Sequence, residues 1–123
     1  MDKEVQFTSE EIVSEKNIAK TVGSGDLEVY ATPAMAALME NAAMNAVASE
    51  LPENSTTVGA SLEISHNRPS GMGEKITATA VLDEIDGRKL VFSIEASDSK
   101  GVIGFGKHIR FIVDKEIFLS KLR

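Results

Sequence analysis

The hydrophobic pattern in the first half of the chain predicts one long helix. The segment from Pro33 to about Ser49 is rich in Ala, Met and Leu, which are good helix formers. Thr32 is a preferred N-cap residue, Pro33 suits the first helical position, and Pro52 disfavours helical geometry just before it. Because apolar residues occur nearly all round this helix, we expect it to be buried.

The pattern in the second half predicts strands. Apolar and polar residues alternate there, which is the period of a half-buried strand, in the ranges 58–66, 76–82, 90–96 and 102–113. Asp86-Gly87 lies between the second and third of these segments and is a strong hairpin signal. Residues 4–19 mix apolar and charged positions and predict a further, N-terminal strand.

The order of these elements predicts an α+β fold in which a curved antiparallel sheet of about five strands wraps around one long buried helix. No internal repeat or low-complexity linker divides the chain, so residues 1–123 are expected to form a single domain. Five strands leave open sheet edges, and pairing between two subunits would hide them. We therefore expect a homodimer, which could in turn form a dimer of dimers.

Composition and charge exclude several functional classes. The net charge is −6, which argues against a nonspecific nucleic-acid binder. The most apolar stretch, 33–48, is interrupted by Glu40 and two asparagines and is too short and polar to span a membrane. The N-terminus lacks the pattern of a signal peptide. The chain has no cysteine, which excludes disulfides and thiolate sites and favours a cytoplasmic location.

Glu40 is the first candidate functional residue. Its helical neighbours are all apolar, namely Ala36, Ala37, Ala43 and Met44. A carboxylate on such a face costs free energy unless it is paired or hydrogen-bonded, and carboxylates in apolar sites are candidates for catalysis. The alternatives are that this face is less buried than the pattern indicates, or that Glu40 forms a structural pair with a basic residue.

His66 and Thr32 are the other two candidates. His66 continues the apolar face of its strand and precedes a Pro/Gly loop, a position suited to proton transfer. A core histidine bonded to a backbone carbonyl would give the same pattern. Thr32 could hold a carbonyl oxygen or oxyanion beside the helix N-terminus, or could simply cap the helix. Each residue taken alone favours the structural interpretation.

His108 and Arg110 share one face of the last strand with Gly104 and Gly106. The glycines would allow the helix or another chain to approach closely. Arg110 could contact a phosphate or pair with an internal carboxylate, and for both His108 and Arg110 the sequence favours a structural role.

Four segments together resemble the fluoroacetyl-CoA thioesterase branch of the hotdog-fold superfamily. The resemblance covers about residues 20–113 and rests on Val29-Tyr30-Ala31-Thr32-Pro33-Ala34-Met35, Leu38-Met39-Glu40, Ile64-Ser65-His66 and Pro69-x-Gly-Met-Gly. The strand, helix and four-strand order predicted above is also that of a hotdog subunit.

The resemblance implies hydrolysis of an acyl-CoA thioester by Thr32, Glu40 and His66. Glu40 would be the nucleophile or the base that activates water, His66 would transfer the proton, and Thr32 would hydrogen-bond the carboxylate or the substrate carbonyl. No metal or cofactor is implied, since CoA is part of the substrate. Hotdog sites usually lie at the dimer interface.

The resemblance also suggests substrate-binding residues. We expect Tyr30 to line the acyl end of the site, and Arg68 and the loop residue Gly71 to bind substrate. The CoA phosphates could be held by Arg68, Lys75 or Arg88, with solvated surface charge as the alternative for each. A short or medium acyl-CoA is expected in preference to fluoroacetyl-CoA. The competing function is a non-catalytic acyl-CoA or small-ligand binding module.

One distance is a difficulty for the proposed constellation. Eight helical residues separate Thr32 from Glu40, roughly 12 Å along a helix axis. Either the helix begins later than Thr32, or Thr32 folds back over it, or the two groups meet across a dimer.

Overall fold

The computed structural model describes residues 1–2 and 4–123 and shows five strands and three helices among them. The strands are β1 (Gln6–Ile12), β2 (Ser55–His66), β3 (Lys75–Asp86), β4 (Lys89–Asp98) and β5 (Gly101–Asp114). The helices are α1 (Ala19–Val22), α2 (Thr32–Ala48) and α3 (Lys115–Ser120). The N-terminal strand is shorter than the sequence pattern predicts, because turns and the short α1 occupy most of the segment from Val13 to Val22.

The five strands form one antiparallel sheet in the order β1-β3-β4-β5-β2, with α2 packed against one face. The hairpin between β3 and β4 closes through Gly87 and Arg88, with Gly87 at φ 61°, a conformation that glycine adopts at little cost. β1 and β2 are the edge strands, and β2 pairs only with β5 among the described residues. The free edge of β2 is therefore available for pairing with another chain.

Two glycines of β5 let α2 approach the sheet closely. A Cβ atom added at Gly104 would clash with the carbonyl oxygen of Ser65 on β2 and lie 3.1 Å from the Met35 methyl carbon, and one at Gly106 would lie 3.0 Å from the Met39 sulfur. Both methionines are fully buried. This confirms the expectation that the glycine face of β5 receives the helix, and it leaves the opposite face of β5, with Phe105, towards solvent.

Burial of α2 is confined to the side facing the sheet. Its buried residues are Met35, Leu38, Met39, Ala42, Ala43, Ala46 and Val47, whereas Met44 is 37% exposed. The expectation of burial all round is therefore met on one face only, because a single sheet covers one side of a helix. Among the described residues, no helix is long and apolar enough to cross a membrane.

Candidate active site

Thr32 and His66 lie in direct contact. The Thr32 hydroxyl oxygen is 2.7 Å from the Nδ1 atom of His66. Thr32 is the first residue of α2, and the N-cap is Ala31, in an extended conformation and without a side-chain cap bond. The interpretation of Thr32 as a helix cap is therefore wrong: its hydroxyl is directed to a histidine at the end of β2.

His66 is half-buried and carries one unused ring nitrogen. Its Nε2 atom is buried without a hydrogen-bond partner among the described residues. Burial lowers the pKa of His66, with a smaller opposing contribution from the Arg68 backbone, so the ring is neutral near pH 7. If Nδ1 donates its hydrogen to the Thr32 oxygen, Nε2 has a free lone pair and can accept a proton from water or substrate.

Tyr30 packs beside this pair. Its ring meets the His66 ring edge-on, with centroids 6.4 Å apart, and both residues line a cavity of about 230 Å³. The Tyr30 side chain is almost fully buried, and its hydroxyl donates a 2.5 Å hydrogen bond to Glu11 on β1. Burial and this neighbouring carboxylate raise the pKa of Tyr30 far above its usual value. Tyr30 can therefore shape the cavity with its ring, while its hydroxyl is engaged elsewhere.

Arg68 belongs to a clamp that fixes the loop after His66. Its guanidinium donates to Asp98 at 2.8 Å and to the Gly101 carbonyl at 3.0 Å. Asp98 is 1% exposed in its side chain and also accepts from the Ser70 hydroxyl at 2.7 Å. Burial would raise the pKa of Asp98, but these bonds outweigh it and lower the pKa overall. The prediction that Arg68 binds substrate stays untested, and the contacts observed for it are structural.

Gly71 and Ser70 connect this clamp to the start of α2. Gly71 forms an isolated antiparallel bridge with Val29, and the backbone carbonyl of Ser70 accepts from the Tyr30 N–H at 2.9 Å. Tyr30 precedes Thr32 by two residues. The loop after His66 therefore holds the segment that carries Thr32, which sets the distance between the hydroxyl and the imidazole.

Glu40 lies elsewhere, against β2 and β5. Its carboxylate oxygen Oε2 is 3.8 Å from the Nη1 atom of Arg110, and its side chain is 46% exposed. A Cβ atom at Gly59 would lie 2.7 Å from the same oxygen, so glycine makes the room that Glu40 occupies. The exposure of Glu40 agrees with the alternative that this face is less buried than the pattern indicates, and Arg110 lies beside the carboxylate without a hydrogen bond to it.

The sequence left the role of Arg110 open, and the structure shows how it is held. Arg110 is 6% exposed, and its guanidinium donates to the Thr57 hydroxyl at 2.8 Å and to the Thr57 carbonyl at 2.9 Å. Its Nη1 atom is 3.1 Å from the Nε2 atom of His108. The sequence indicated only that His108 and Arg110 lie on the same face of β5 as the two glycines. Their hydrogen bonds to β2 depend on the strand register and could not be read from that pattern.

One chain therefore contains two half-sites. The histidine half-site consists of Thr32 and His66, and the glutamate half-site consists of Glu40, Gly59 and Arg110. Gly59 and His66 are seven residues apart on β2, roughly 23 Å at the usual rise of a strand. No hydrogen bond among the described residues joins Glu40 to Thr32 or His66, so the three predicted residues do not assemble within one chain.

Comparison with known proteins gives the family. The model of the family described as "FlK: Fluoroacetyl-CoA-specific thioesterase" matches residues 13–116. The fluoroacetyl-CoA thioesterase of Streptantibioticus cattleyicolor is 34% identical over 96 residues, which cover 78% of this chain and 69% of that protein. The chain belongs to the fluoroacetyl-CoA-specific thioesterase family. The prediction of a thioester hydrolase is confirmed.

Solved structures of this thioesterase family and of other hotdog proteins share the fold. The F36A mutant of the fluoroacetyl-CoA-specific thioesterase FlK superposes with a TM-score of 0.92 at 29% identity, covering 100% of this chain and 96% of that one. A hot-dog-like protein from Thermanaerovibrio acidaminovorans gives a TM-score of 0.91 at 24% identity, covering 99% and 90%. The predicted hotdog fold is thus confirmed.

Proposed function

We propose that this thioesterase hydrolyses a short acyl-CoA at a site assembled from two subunits, with Thr32 and His66 from one and Glu40 from the other. The observation that carries the proposal is the division of the three residues into two half-sites along β2. Thr32 and His66 are joined by a hydrogen bond, whereas Glu40 lies 3.8 Å from Arg110, so the carboxylate and the His66 imidazole belong to different half-sites.

The free edge of β2 supplies a way to join the half-sites. Two β2 strands related by a two-fold axis would pair antiparallel, as isologous contacts require. If the axis passes between Leu62 and Glu63, Gly59 of one subunit lies opposite His66 of the partner subunit. Facing residues in such a pair are about 5 Å apart, which brings Glu40 next to the partner's His66. The dimer predicted from the open sheet edges thereby completes the site.

The chemistry then follows from the groups present. The Glu40 carboxylate, which accepts no hydrogen bond among the described residues, attacks the thioester carbonyl; the C–S bond breaks and CoA leaves as the thiolate. Water then attacks the acyl carbon of the resulting anhydride and gives its proton to Nε2 of His66, which passes it to the thiolate. Thr32 fixes the tautomer of His66 by accepting from Nδ1. These steps require no metal or cofactor.

A short acyl group is proposed from the relative that the chain matches. The cavity of about 230 Å³ beside Tyr30 and His66 belongs to one chain, and in the proposed dimer the second subunit would form the rest of its wall. Fluoroacetyl-CoA, named in the relative from Streptantibioticus cattleyicolor, is short enough to belong among the substrates to be tried. A cytoplasmic location remains a prediction from the cysteine-free composition.

The test is free-thiol release from acyl-CoA esters ranging from acetyl and fluoroacetyl to decanoyl. We expect the shortest esters to react fastest and Glu40→Gln to lose activity roughly 10²–10⁴-fold, the usual contribution of such a group. Glu95→Gln, an exposed glutamate on β4, is the matched control and should keep wild-type activity. Undiminished activity in Glu40→Gln would refute its role. If no ester reacts while CoA compounds raise the melting temperature, the binding-module alternative is correct.

A further inference from the structure

The buried cluster beside Glu40 contains a histidine that the proposed mechanism does not use. His108 is 1% exposed and lies on β5 two residues before Arg110. Its Nδ1 atom is 2.7 Å from the carbonyl oxygen of Ser61, and its Nε2 atom is 3.1 Å from Nη1 of Arg110. Its ring therefore bridges β2 to the guanidinium that faces Glu40.

The two contacts of His108 determine its tautomer. A carbonyl oxygen can only accept, so Nδ1 must carry the hydrogen and donate it to Ser61. An arginine can only donate, so Nε2 must be unprotonated and accept from Arg110. Burial is the largest effect and lowers the pKa of His108; the hydrogen bond to the Ser61 carbonyl opposes it, the Arg110 charge lowers the pKa further, and the opposing effect of Glu40 is the smallest. The remaining neighbour with a ring contact is the apolar Phe92.

With His108 in this tautomer, Arg110 is held from two sides. Nε and Nη2 of Arg110 donate hydrogen bonds to the hydroxyl and carbonyl oxygens of Thr57, and Nη1 donates one hydrogen to Nε2 of His108. The second hydrogen of Nη1 is left on the side of Glu40, whose nearest oxygen is 3.8 Å away, too far for a hydrogen bond. The β-bulge between Gly59 and Ser61 lies in the same stretch of β2, and bulges commonly redirect groups next to active sites.

We propose that His108 is a positioning residue for catalysis: it holds the Arg110 guanidinium beside Glu40 without letting it bind the carboxylate directly. If Arg110 were free to rotate, it could form a two-pronged ion pair with Glu40, since arginine and carboxylate favour that geometry. Such a pair would occupy the oxygens that must attack the thioester. The contacts of Arg110 with His108 and Thr57 therefore keep a positive charge near the Glu40 carboxylate and leave its oxygens available. This inference rests on the proposed role of Glu40.

Two substitutions separate the two contacts of His108. In His108→Gln, the side-chain oxygen can take the place of Nε2 and still accept from Arg110. In His108→Asn, the shorter amide can donate to Ser61 in place of Nδ1 but does not reach Arg110. We expect His108→Asn to lower kcat roughly ten- to a hundredfold with little change in KM, since a hydrogen bond to a charged group is lost. His108→Gln should retain activity within about threefold of the wild type.

A purely structural histidine would give a different result. Both variants would then lose thermal stability, and kcat per folded protein would be the same in each, which would overturn the proposal. The activity of the Glu40→Gln enzyme distinguishes failure of the positioning role of His108 from failure of the proposed function. If Glu40→Gln is inactive but the His108 variants match the wild type, the positioning role fails while the proposed function stands; if Glu40→Gln is active, the proposed function itself fails.

The tautomer can be measured independently of activity. The chain has only 2 histidines, so a protein labelled with ¹⁵N-histidine shows two ring systems, and His108→Asn assigns them. We expect His108 to be neutral with its hydrogen on Nδ1. A hydrogen on Nε2 would mean that the His108 ring does not accept from Arg110, and this would refute the positioning role of His108.

Discussion

Mixed dimers give the most direct test of a site shared between two subunits. Two chains with different tags are co-expressed and purified in tandem, so that only the heterodimer is recovered. In the first pairing, one chain carries Glu40→Gln and the other carries His66→Ala. Each homodimer of these variants should be nearly inactive, with losses of roughly 10²–10⁴-fold.

The geometry fixes the expected activity of this heterodimer. The proposed two-fold dimer has two sites, and each would take Glu40 from one subunit and His66 from its partner. One site then receives both substitutions and the other receives neither. Thiol release should therefore recover to about half of the wild-type rate per dimer. If all three residues acted within one chain, every site would carry one substitution and no activity would return.

The reverse arrangement is the matched control. One chain carries Glu40→Gln and His66→Ala together, and the other chain is wild type. With a shared site, each of the two sites now lacks one group, so the heterodimer should be nearly inactive. With a site inside one chain, the wild-type subunit would keep about half of the rate. An active reverse heterodimer together with an inactive first heterodimer would refute the shared site.

Two further predictions concern the histidine half-site. Burial lowers the pKa of His66, and the neutral ring acts as the base, so kcat/KM should fall on acidification only below about pH 6.5, the usual pKa of histidine. His66→Gln should abolish this acidic limb of the pH–rate profile. An acidic limb above that pH would contradict the neutral buried ring. Hydrogen bonds to the Asp98 carboxylate lower its pKa, so the stability that Asp98 contributes is present above the unfolded pKa and is lost as pH falls through the lower folded pKa. Asp98→Asn should therefore lower the free energy of unfolding in urea by about 1–3 kcal/mol near pH 7, and by progressively less as the pH falls below 4. An unchanged difference at low pH would show that the charge is unimportant.

The sequence was sufficient for the fold because the relevant patterns are local. Alternation of apolar and polar residues gives β2 to β5, and the composition of the segment after Pro33 gives α2. The resemblance of a few short motifs was enough to give the family and to single out Thr32, Glu40 and His66. The direct contact between Thr32 and His66 was not predicted, since Thr32 was expected to hydrogen-bond the carboxylate or the substrate carbonyl.

The surroundings of the site could not be predicted in the same way. The hydrogen bond of Arg68 to Asp98 spans 30 positions, and that of Arg110 to Thr57 spans 53. Such contacts depend on which residues face each other across the sheet, and a shift of one residue would turn every side chain to the opposite face. For this reason the sequence allowed Arg68 to be a substrate ligand and could not decide whether Arg110 contacts a phosphate or pairs with an internal carboxylate.

The distance between Thr32 and Glu40 is explained if the site forms in the proposed dimer. In one chain, α2 separates the two residues by about two turns, and β2 separates their contacts, Gly59 and His66, by roughly 23 Å. A two-fold axis exchanges the two ends of an antiparallel pair of strands, so groups that are far apart along β2 become neighbours across it. The rigid contacts that hold the half-sites apart within one chain are then the same contacts that position them for each other. In the proposed dimer, any change in the register of β2 pairing would separate both pairs of half-sites at once, so we expect the dimer contact itself to be a determinant of catalysis.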